Sequence, residues 1–114
     1  FYEPPEYIKP SWYRFYIFIK INKKNIKNFR DQIIKNLKKK NIICYYGACP
    51  EIYLEKAFKN SNFKINKRLI NCKILGETSI ALDVNHTLSK KKIELDTKNI
   101  NEVIEKINKK IKQS

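Results

Sequence analysis

The stretch at residues 44–58, CYYGACPEIYLEKAF, constrains the fold of this chain more than any other part of the sequence. It holds one of only 2 glycines and two of the 3 cysteines, in a chain otherwise rich in Lys, Asn and Ile. Gly47 permits a positive φ in a tight turn, and Pro50 suits the first turn of a helix, where its missing N–H costs nothing. The stretch therefore predicts a strand, a tight loop and a helix, a connection at which α/β proteins often bind ligands.

Hydrophobic periodicity predicts the other elements. Apolar alternation or apolar runs predict three strands, at residues 12–21, 42–46 and 78–84, the first of them mostly buried on both faces. Helical spacing predicts four helices, at residues 25–40, 51–58, 67–75 and 99–112. Residues 60–66 read as a polar loop.

The helix ends are less sharply marked than the helices. Gly76 is predicted to end the third helix as its C′ glycine, and Thr97 or Asn99 to cap the last one. Residues 91–96 fit either a short edge strand or the opening of that last helix, and the pattern does not decide between them.

The order of these elements predicts an α/β (α+β) fold, a small two-layer sandwich with a sheet of about three strands and amphipathic helices on one face. The other face is expected to be covered by a part of the protein outside this sequence. We assign residues 1–11, which hold three of the 4 prolines, to an extended linker and residues 12–114 to one domain. The chain starts at Phe1 and contains no methionine, which suggests a piece of something longer; a methionine immediately before Phe1 would instead support a free-standing protein-interaction domain.

The formal net charge of +14 raises the alternative of a small nucleic-acid-binding module. Only Arg14, Arg30 and Arg68 are arginine, however, and nucleic-acid surfaces favour arginine. Lys, Asn, Ile and Tyr share A/T-rich codons, so genome composition also accounts for the charge, and we expect nonspecific adhesion to polyanions. No apolar run is long enough to span a membrane and no signal peptide is visible, so we expect a soluble, cytoplasmic protein.

Residues that could carry catalysis are few. His86 is the single histidine, and no Ser or Cys lies in a motif that would activate it. Cys44, Cys49, Cys72 and His86 could in principle bind zinc, but their spacing is not that of a zinc site, and we predict reduced thiols and no metal. Gly47 does not belong to a phosphate-binding loop, because no second glycine and no GK[ST] follow it.

Four segments together resemble a known family. They are YRFYIFIK from Tyr13, RDQII from Arg30, NIICYYGACPEIYLEKAF from Asn41, and LINCKILGETSIALDVNHTLS from Leu69. In the same order and at similar spacing they resemble the C-terminal part of the DegT/DnrJ/EryC1/StrS family of pyridoxal-phosphate-dependent sugar aminotransferases, which includes perosamine synthetases. The likeness covers about residues 12–89. It departs from the family's V-H-P-T-L motif, where this chain has Val84, Asn85, His86, Thr87 and Leu88.

The resemblance implies a substrate-cleft domain whose cofactor lysine and most phosphate ligands lie in a preceding domain. It implies pyridoxal 5'-phosphate, an amino donor, a nucleotide-sugar substrate and a homodimer for the whole enzyme, with amino-sugar and surface-polysaccharide synthesis as its role. This chain alone should bind no cofactor and catalyse nothing. The implied substrate-binding residues are Tyr46, Gly47, Ala48, Cys49 and Glu51, with Asn85 and His86 nearby at a strand end. Purely structural roles are the alternative for each, such as a core aromatic for Tyr46, a buried thiol for Cys49 and a helix-dipole partner for Glu51.

Overall fold

A computed structural model describes residues 3–20, 25–59, 62, 65 and 67–113. The elements follow the order strand, helix, strand, helix, helix, strand, helix, as predicted. They are β1 (Arg14–Phe18), α1 (Ile26–Lys39), β2 (Cys44–Tyr45), a 3-10 turn (Ile52–Leu54), α2 (Lys56–Lys59), α3 (Ile70–Thr78), β3 (Ser79–Asp83) and α4 (Lys90–Gln113). The predicted fold class, a small α/β sandwich built on three strands, is confirmed.

The sheet is antiparallel throughout, with β3 in the centre between β1 and β2. Tyr16 and Tyr45 are both register partners of Ala81, on opposite sides of it. The loop after β2 therefore starts at the same end of the sheet where β3 begins, and this fixes the position of residues 46–51.

The helices α1 and α4 pack together on one face of the sheet, and the core lies between them and the strands. Leu37 and Ile80 are fully buried, and Ile34 and Ile107 are 2% exposed. Burial of a side chain of this size contributes about 1.5–3 kcal/mol, so this cluster supplies most of the stability of the layer. Asn41, at φ 57°, ends α1 in the left-handed conformation that Asn tolerates, and the N–H of Ile42 bonds back to Leu37.

Both outer strands are shorter than predicted. The predicted strand at 12–21 is regular only over Arg14–Phe18, and its predicted end at 21 lies outside the described residues. It is half-buried rather than buried on both faces, with Tyr13 80% exposed, because the helices cover only one side of the sheet. The predicted strand at 42–46 is reduced to Cys44–Tyr45, since the chain leaves the sheet at the Gly47 turn.

Two helix boundaries were predicted wrongly, and a third had been left open. The helix predicted at 51–58 is broken by Glu55, whose extended backbone (ψ 152°) separates the 3-10 turn from α2. Gly76 lies inside α3 and does not end it. Of the two alternatives for residues 91–96, the opening of the last helix is confirmed, and α4 begins at Lys90.

Local contacts explain where α4 begins. Ser89 accepts a hydrogen bond from the backbone N–H of Lys92 at 3.2 Å, which is the bond a capping side chain makes. The predicted caps are occupied elsewhere: the Thr97 hydroxyl donates to the Ile93 carbonyl at 2.8 Å, and the Asn99 oxygen accepts from Lys40 at 2.9 Å.

Residues 3–11 form neither helix nor strand, apart from a turn closed by the N–H of Ile8 and the carbonyl of Pro5 at 2.9 Å. The division into linker and domain stays a prediction. Residues 60–66 lie largely outside the described part of the chain.

Candidate functional site

The loop at residues 46–51 is held in place from the sheet side by Gly47 and Ser79. Gly47 has φ 86°, a conformation that favours glycine, and a Cβ added there would lie 2.8 Å from the Ser79 Oγ. The same Ser79 hydroxyl donates to the Tyr46 carbonyl at 3.2 Å. Because Ser79 opens the central strand, the loop is anchored directly to the most buried part of the sheet.

Arg30 and α3 hold the loop from the helix side. Arg30 is 5% exposed, and its guanidinium lies 4.8 Å from the centre of the Tyr46 ring, within range of a cation–π contact. It also donates to the Gly76 carbonyl and pairs with Asp31 at 2.8 Å. Pro50 sits where a side chain at position 76 would lie, since an added Cβ would be 2.2 Å from the Pro50 Cγ. Gly76 is therefore a close-packing glycine, which explains why it occurs inside a helix.

The Glu51 carboxylate joins the end of the loop to the start of α3. Arg68 donates two hydrogen bonds to it, at 2.8 and 2.9 Å, and the Tyr53 hydroxyl donates a third at 2.8 Å. Tyr53 in turn accepts the N–H of Leu69 at 3.0 Å. The bonds from Arg68 and then Tyr53 lower the pKa of Glu51 to about 2, so at neutral pH it is an ionised anchor and not a proton donor or acceptor.

These contacts surround an open cavity of about 450 Å³. The five loop residues predicted from the sequence, Tyr46, Gly47, Ala48, Cys49 and Glu51, all line it. It also contains four cationic side chains that sequence reasoning did not place there, Lys27, Arg30, Arg68 and Lys73, and a second carboxylate, Glu77. The sequence feature that could have indicated Arg30 and Arg68 is that arginine is scarce in this chain.

The cations in the cavity are not equally available. Arg30 and Arg68 are used by the loop, and Lys73 pairs with Glu77 at the longer distance of 3.8 Å. Lys27 takes part in no ion pair among the described residues. Lys27 is therefore the cation of the cavity most available to an anionic ligand, and Lys73 is held only loosely by Glu77.

Cys49 is exposed, and its thiol lies 3.5 Å from Glu55 Oε1. Desolvation and the hydrogen bond to the Glu55 carboxylate raise the pKa of the Cys49 thiol. A thiol that stays protonated at neutral pH is a poor nucleophile. The expectation that Cys49 is buried is wrong, whereas Cys44 is buried against the Ile34 carbonyl and burial raises its pKa.

Asn85 and His86 do not join this cavity, contrary to the expectation that they lie near the loop. Tyr46 bonds to Ser79 at the start of β3, whereas Asn85 and His86 follow Asp83 at its end. Six residues of extended chain span on the order of 20 Å, so the two groups lie at opposite ends of the strand. Asn85 instead closes a local turn by accepting from the N–H and hydroxyl of Thr87 at 2.9 and 3.0 Å.

Asn85 lines a second, mainly apolar groove of about 350 Å³ between this end of the sheet and the first half of α4. Trp12 and Phe15 form one wall with their rings edge to face, their centres 5.3 Å apart. The Lys92–Asp96 pair, at 2.5 Å, also lines the groove. Nothing in its chemistry connects it with the cationic cavity.

Within the described part of the chain, no three His, Cys, Asp or Glu side chains come together as a metal site would require. No helix in that part is long and apolar enough to cross a bilayer.

The arrangement of three antiparallel strands, covering helices and an anchored loop matches part of an enzyme of the aminotransferase class. The solved protein concerned is the aminotransferase from Psychrobacter cryohalolentis, to which this chain is similar with a TM-score of 0.75 and 30% sequence identity. The match covers 88% of this chain and 25% of that one, so the chain spans about a quarter of the enzyme's length. No family model and no curated protein matches the sequence.

Proposed function

We propose that this chain is the small substrate-cleft domain of a pyridoxal-phosphate-dependent nucleotide-sugar aminotransferase of the DegT/DnrJ/EryC1/StrS type. The structural match to a solved aminotransferase is the observation that carries the proposal. The likeness of the sequence motifs over residues 12–89 supports the DegT/DnrJ/EryC1/StrS type among aminotransferases. The nucleic-acid alternative is not favoured, since the fold matches an enzyme fragment.

The cationic cavity supports a nucleotide-linked substrate. Lys27 and Lys73 line the cavity and offer positive charge to phosphate oxygens. Tyr46, 51% exposed and held by Arg30, presents a ring on which a sugar or base can pack. Glu51 positions the loop through Arg68 and takes no proton from the substrate. Asn85 and His86 would then contact a different part of the substrate or none.

Under this proposal the cofactor is bound outside this chain, as the family resemblance implies. Pyridoxal phosphate supplies an electron sink for amino transfer and needs a lysine, a carboxylate at its ring nitrogen and several phosphate donors. Here both cavity carboxylates, Glu51 and Glu77, are already paired with Arg68 and Lys73. The assignment of the cofactor, and of most of the homodimer contacts, to a preceding domain rests on the family resemblance.

The proposal is tested with the chain alone and with a chimera in which it replaces the matching quarter of the Psychrobacter cryohalolentis aminotransferase. We expect the chain alone to show no cofactor absorbance and no transfer from glutamate, and the chimera to show both. UDP and dTDP are the ligand probes for calorimetry. Lys27→Gln should weaken their binding to the chimera severalfold, whereas Lys35→Gln, on the same helix but outside the cavity, should not.

Turnover by the chain alone would contradict the assignment as a noncatalytic domain. A folded chimera that binds the cofactor but transfers no amino group would contradict the aminotransferase function. Amino transfer by the chimera without any binding of UDP or dTDP would contradict only the proposal that the substrate is linked to a nucleotide.

A further inference from the structure

The Tyr46 ring lines the cationic cavity with one of its two faces covered. The Arg30 guanidinium lies over that face, 4.8 Å from the ring centre. The backbone of Tyr46 is fixed as well, because its carbonyl accepts the Ser79 hydroxyl at 3.2 Å. The side chain nevertheless remains 51% exposed, so the face opposite Arg30 stays accessible. The ring is therefore held from one side and open to a ligand on the other.

Arg30 is fixed in its position behind the ring. It is 5% exposed, and each nitrogen of its guanidinium has a partner. Nε and Nη2 lie 2.9 and 2.8 Å from the Asp31 carboxylate, and Nη1 donates to the Gly76 carbonyl. A buried guanidinium that is bound at every nitrogen supports the ring and is not the group that meets a ligand. Arg30 can therefore act on a ligand only through Tyr46.

The cation behind the ring changes what its exposed face attracts. A tyrosine ring normally presents a negative face, which attracts the C–H groups of a sugar. A positive charge on one side draws π-electron density towards itself, so the opposite face becomes less negative. The C–H groups of a sugar gain less from such a face, whereas a planar base that carries carbonyl oxygens stacks on it without that loss. The contact between Arg30 and Tyr46 therefore favours a nucleotide base over a sugar.

Cations for the phosphates of a nucleotide line the same cavity as the ring. Lys27 precedes Arg30 by three residues on α1, so both side chains lie on one face of that helix. Lys73 stands in the same relation to Gly76 on α3, and the bond from Arg30 to Gly76 joins the two helices at this point. The cavity, of about 450 Å³, is within the size range of small-molecule sites. It therefore offers one ring for a base and two ammonium groups for phosphates.

We propose that the Tyr46 ring is the stacking surface for the planar base of the nucleotide-linked substrate, and that Arg30 is the positioning residue that fixes this ring. The inference rests on the proposed function and names the part of the substrate that the loop recognises. It assigns the phosphates to Lys27 and Lys73. The sugar makes no contact with the Tyr46 ring.

Titration calorimetry of this chain with three probes separates the base, the phosphates and the sugar. The probes are UDP, pyrophosphate and glucose 1-phosphate. Tyr46→Ala should weaken UDP binding about tenfold, as for bases stacked on other protein aromatics, and leave the two probes without a base unaffected. Tyr45→Ala is the matched control, because this neighbouring tyrosine is 41% exposed and does not line the cavity, and it should change nothing. Lys27→Gln should weaken all three probes.

Proton NMR of bound UDP gives a readout that a merely structural effect would not move. A base stacked on a tyrosine ring experiences its ring current, so the uracil ring protons should shift upfield on binding. The shift should persist in Tyr46→Phe, which keeps the ring, and disappear in Tyr46→Ala. Arg30→Met should reduce both the shift and the affinity for UDP severalfold. Arg30→Lys keeps the charge but not the planar contact; it should show a partial loss, and it replaces Arg30→Met if that protein does not fold.

Equal affinity of the parent chain and Tyr46→Ala for UDP would overturn the proposal, as would bound UDP without an upfield shift. A loss of glucose 1-phosphate binding in Tyr46→Ala as large as the loss of UDP binding would do the same, because the sugar would then pack on the ring. The proposed function fails differently. A chimera that transfers no amino group would remove the function and leave the measured base site in place, whereas amino transfer by a chimera in which Tyr46→Ala binds UDP normally would do the reverse.

Discussion

At the scale of single residues, Glu51 and Gly76 both hold the loop against its surroundings. The Glu51 carboxylate is bound by Arg68 and Tyr53, and its predicted contact with substrate stays a prediction. Gly76 has the appearance of a helix end, but its missing side chain makes room for Pro50. Both serve to fix the loop against α3.

Replacing Gly76 by Ala tests that contact. In an unobstructed helix the change would stabilise by about 1 kcal/mol, but here the new Cβ meets the Pro50 ring. We expect a net destabilisation of about 1–3 kcal/mol, measured by urea unfolding. Asn71→Ala, at an exposed position of the same helix, is the control and should be neutral or slightly stabilising. A Gly76→Ala protein as stable as the control would show that the loop shifts freely.

Because Glu51 is ionised and held by Arg68, we expect the stability of the protein to depend on pH in the acid range. The pKa of Glu51 is about 2 in the folded protein and near its ordinary value of 4.5 when unfolded. A lowered folded pKa contributes stability that is present above pH 4.5 and is lost as the pH falls towards 2. Thermal unfolding followed across this range should therefore decline less steeply in Glu51→Gln than in the parent chain. Identical slopes would mean that the Arg68 contact does not persist in solution.

At the scale of elements, the sequence predicted where helices and strands lie better than where they begin and end. The helix at 25–40 and the strand at 78–84 were located to within two residues, because their apolar periodicity directly reflects burial. The start of α4 was left undecided, and its caps were misplaced, because its first turns carry few buried residues. The capping Ser89 lies outside the apolar stripe that revealed the helix.

Ser89 and Thr97 give a direct test of that boundary. Ser89→Ala should cost about 1 kcal/mol of stability in urea unfolding, since it removes the side-chain hydrogen bond to the Lys92 N–H in the first turn of α4. Thr97→Ala, at one of the two positions predicted as the cap, removes only a bond to the Ile93 carbonyl within the helix. It should change stability little or improve it slightly, because Ala has the higher helix propensity. The reverse ranking would place the start of α4 near residue 99.

The loop residues of the candidate site could be predicted from the sequence, whereas its cationic side chains could not. Residues 46–51 are contiguous, so one motif brought them together, whereas Lys27, Arg30, Arg68 and Lys73 come from two helices and a segment between them. Only the tertiary packing of α1 against α3 gathers them. The antiparallel direction of β3 separates Asn85 and His86 from the loop, and a sequence motif contains no information about that direction.

At the scale of the whole molecule, positive charge is the dominant property of the surface. The +14 charge predicts retention on heparin at low salt, with elution at moderate salt and no preference among nucleic-acid sequences. Anisotropy titrations with unrelated DNA oligonucleotides across a salt series check this. A sequence-selective complex that persists above physiological salt would instead support a nucleic-acid function.

The Trp12–Phe15 pair gives the molecule a built-in optical probe. The chain has 1 tryptophan, 40% exposed, and it lines the apolar groove beside α4 rather than the cationic cavity. Its fluorescence therefore reports on one region alone. Quenching by iodide or acrylamide would show whether a molecule that binds this protein enters the groove, and an unchanged signal on binding would locate the ligand elsewhere without any label.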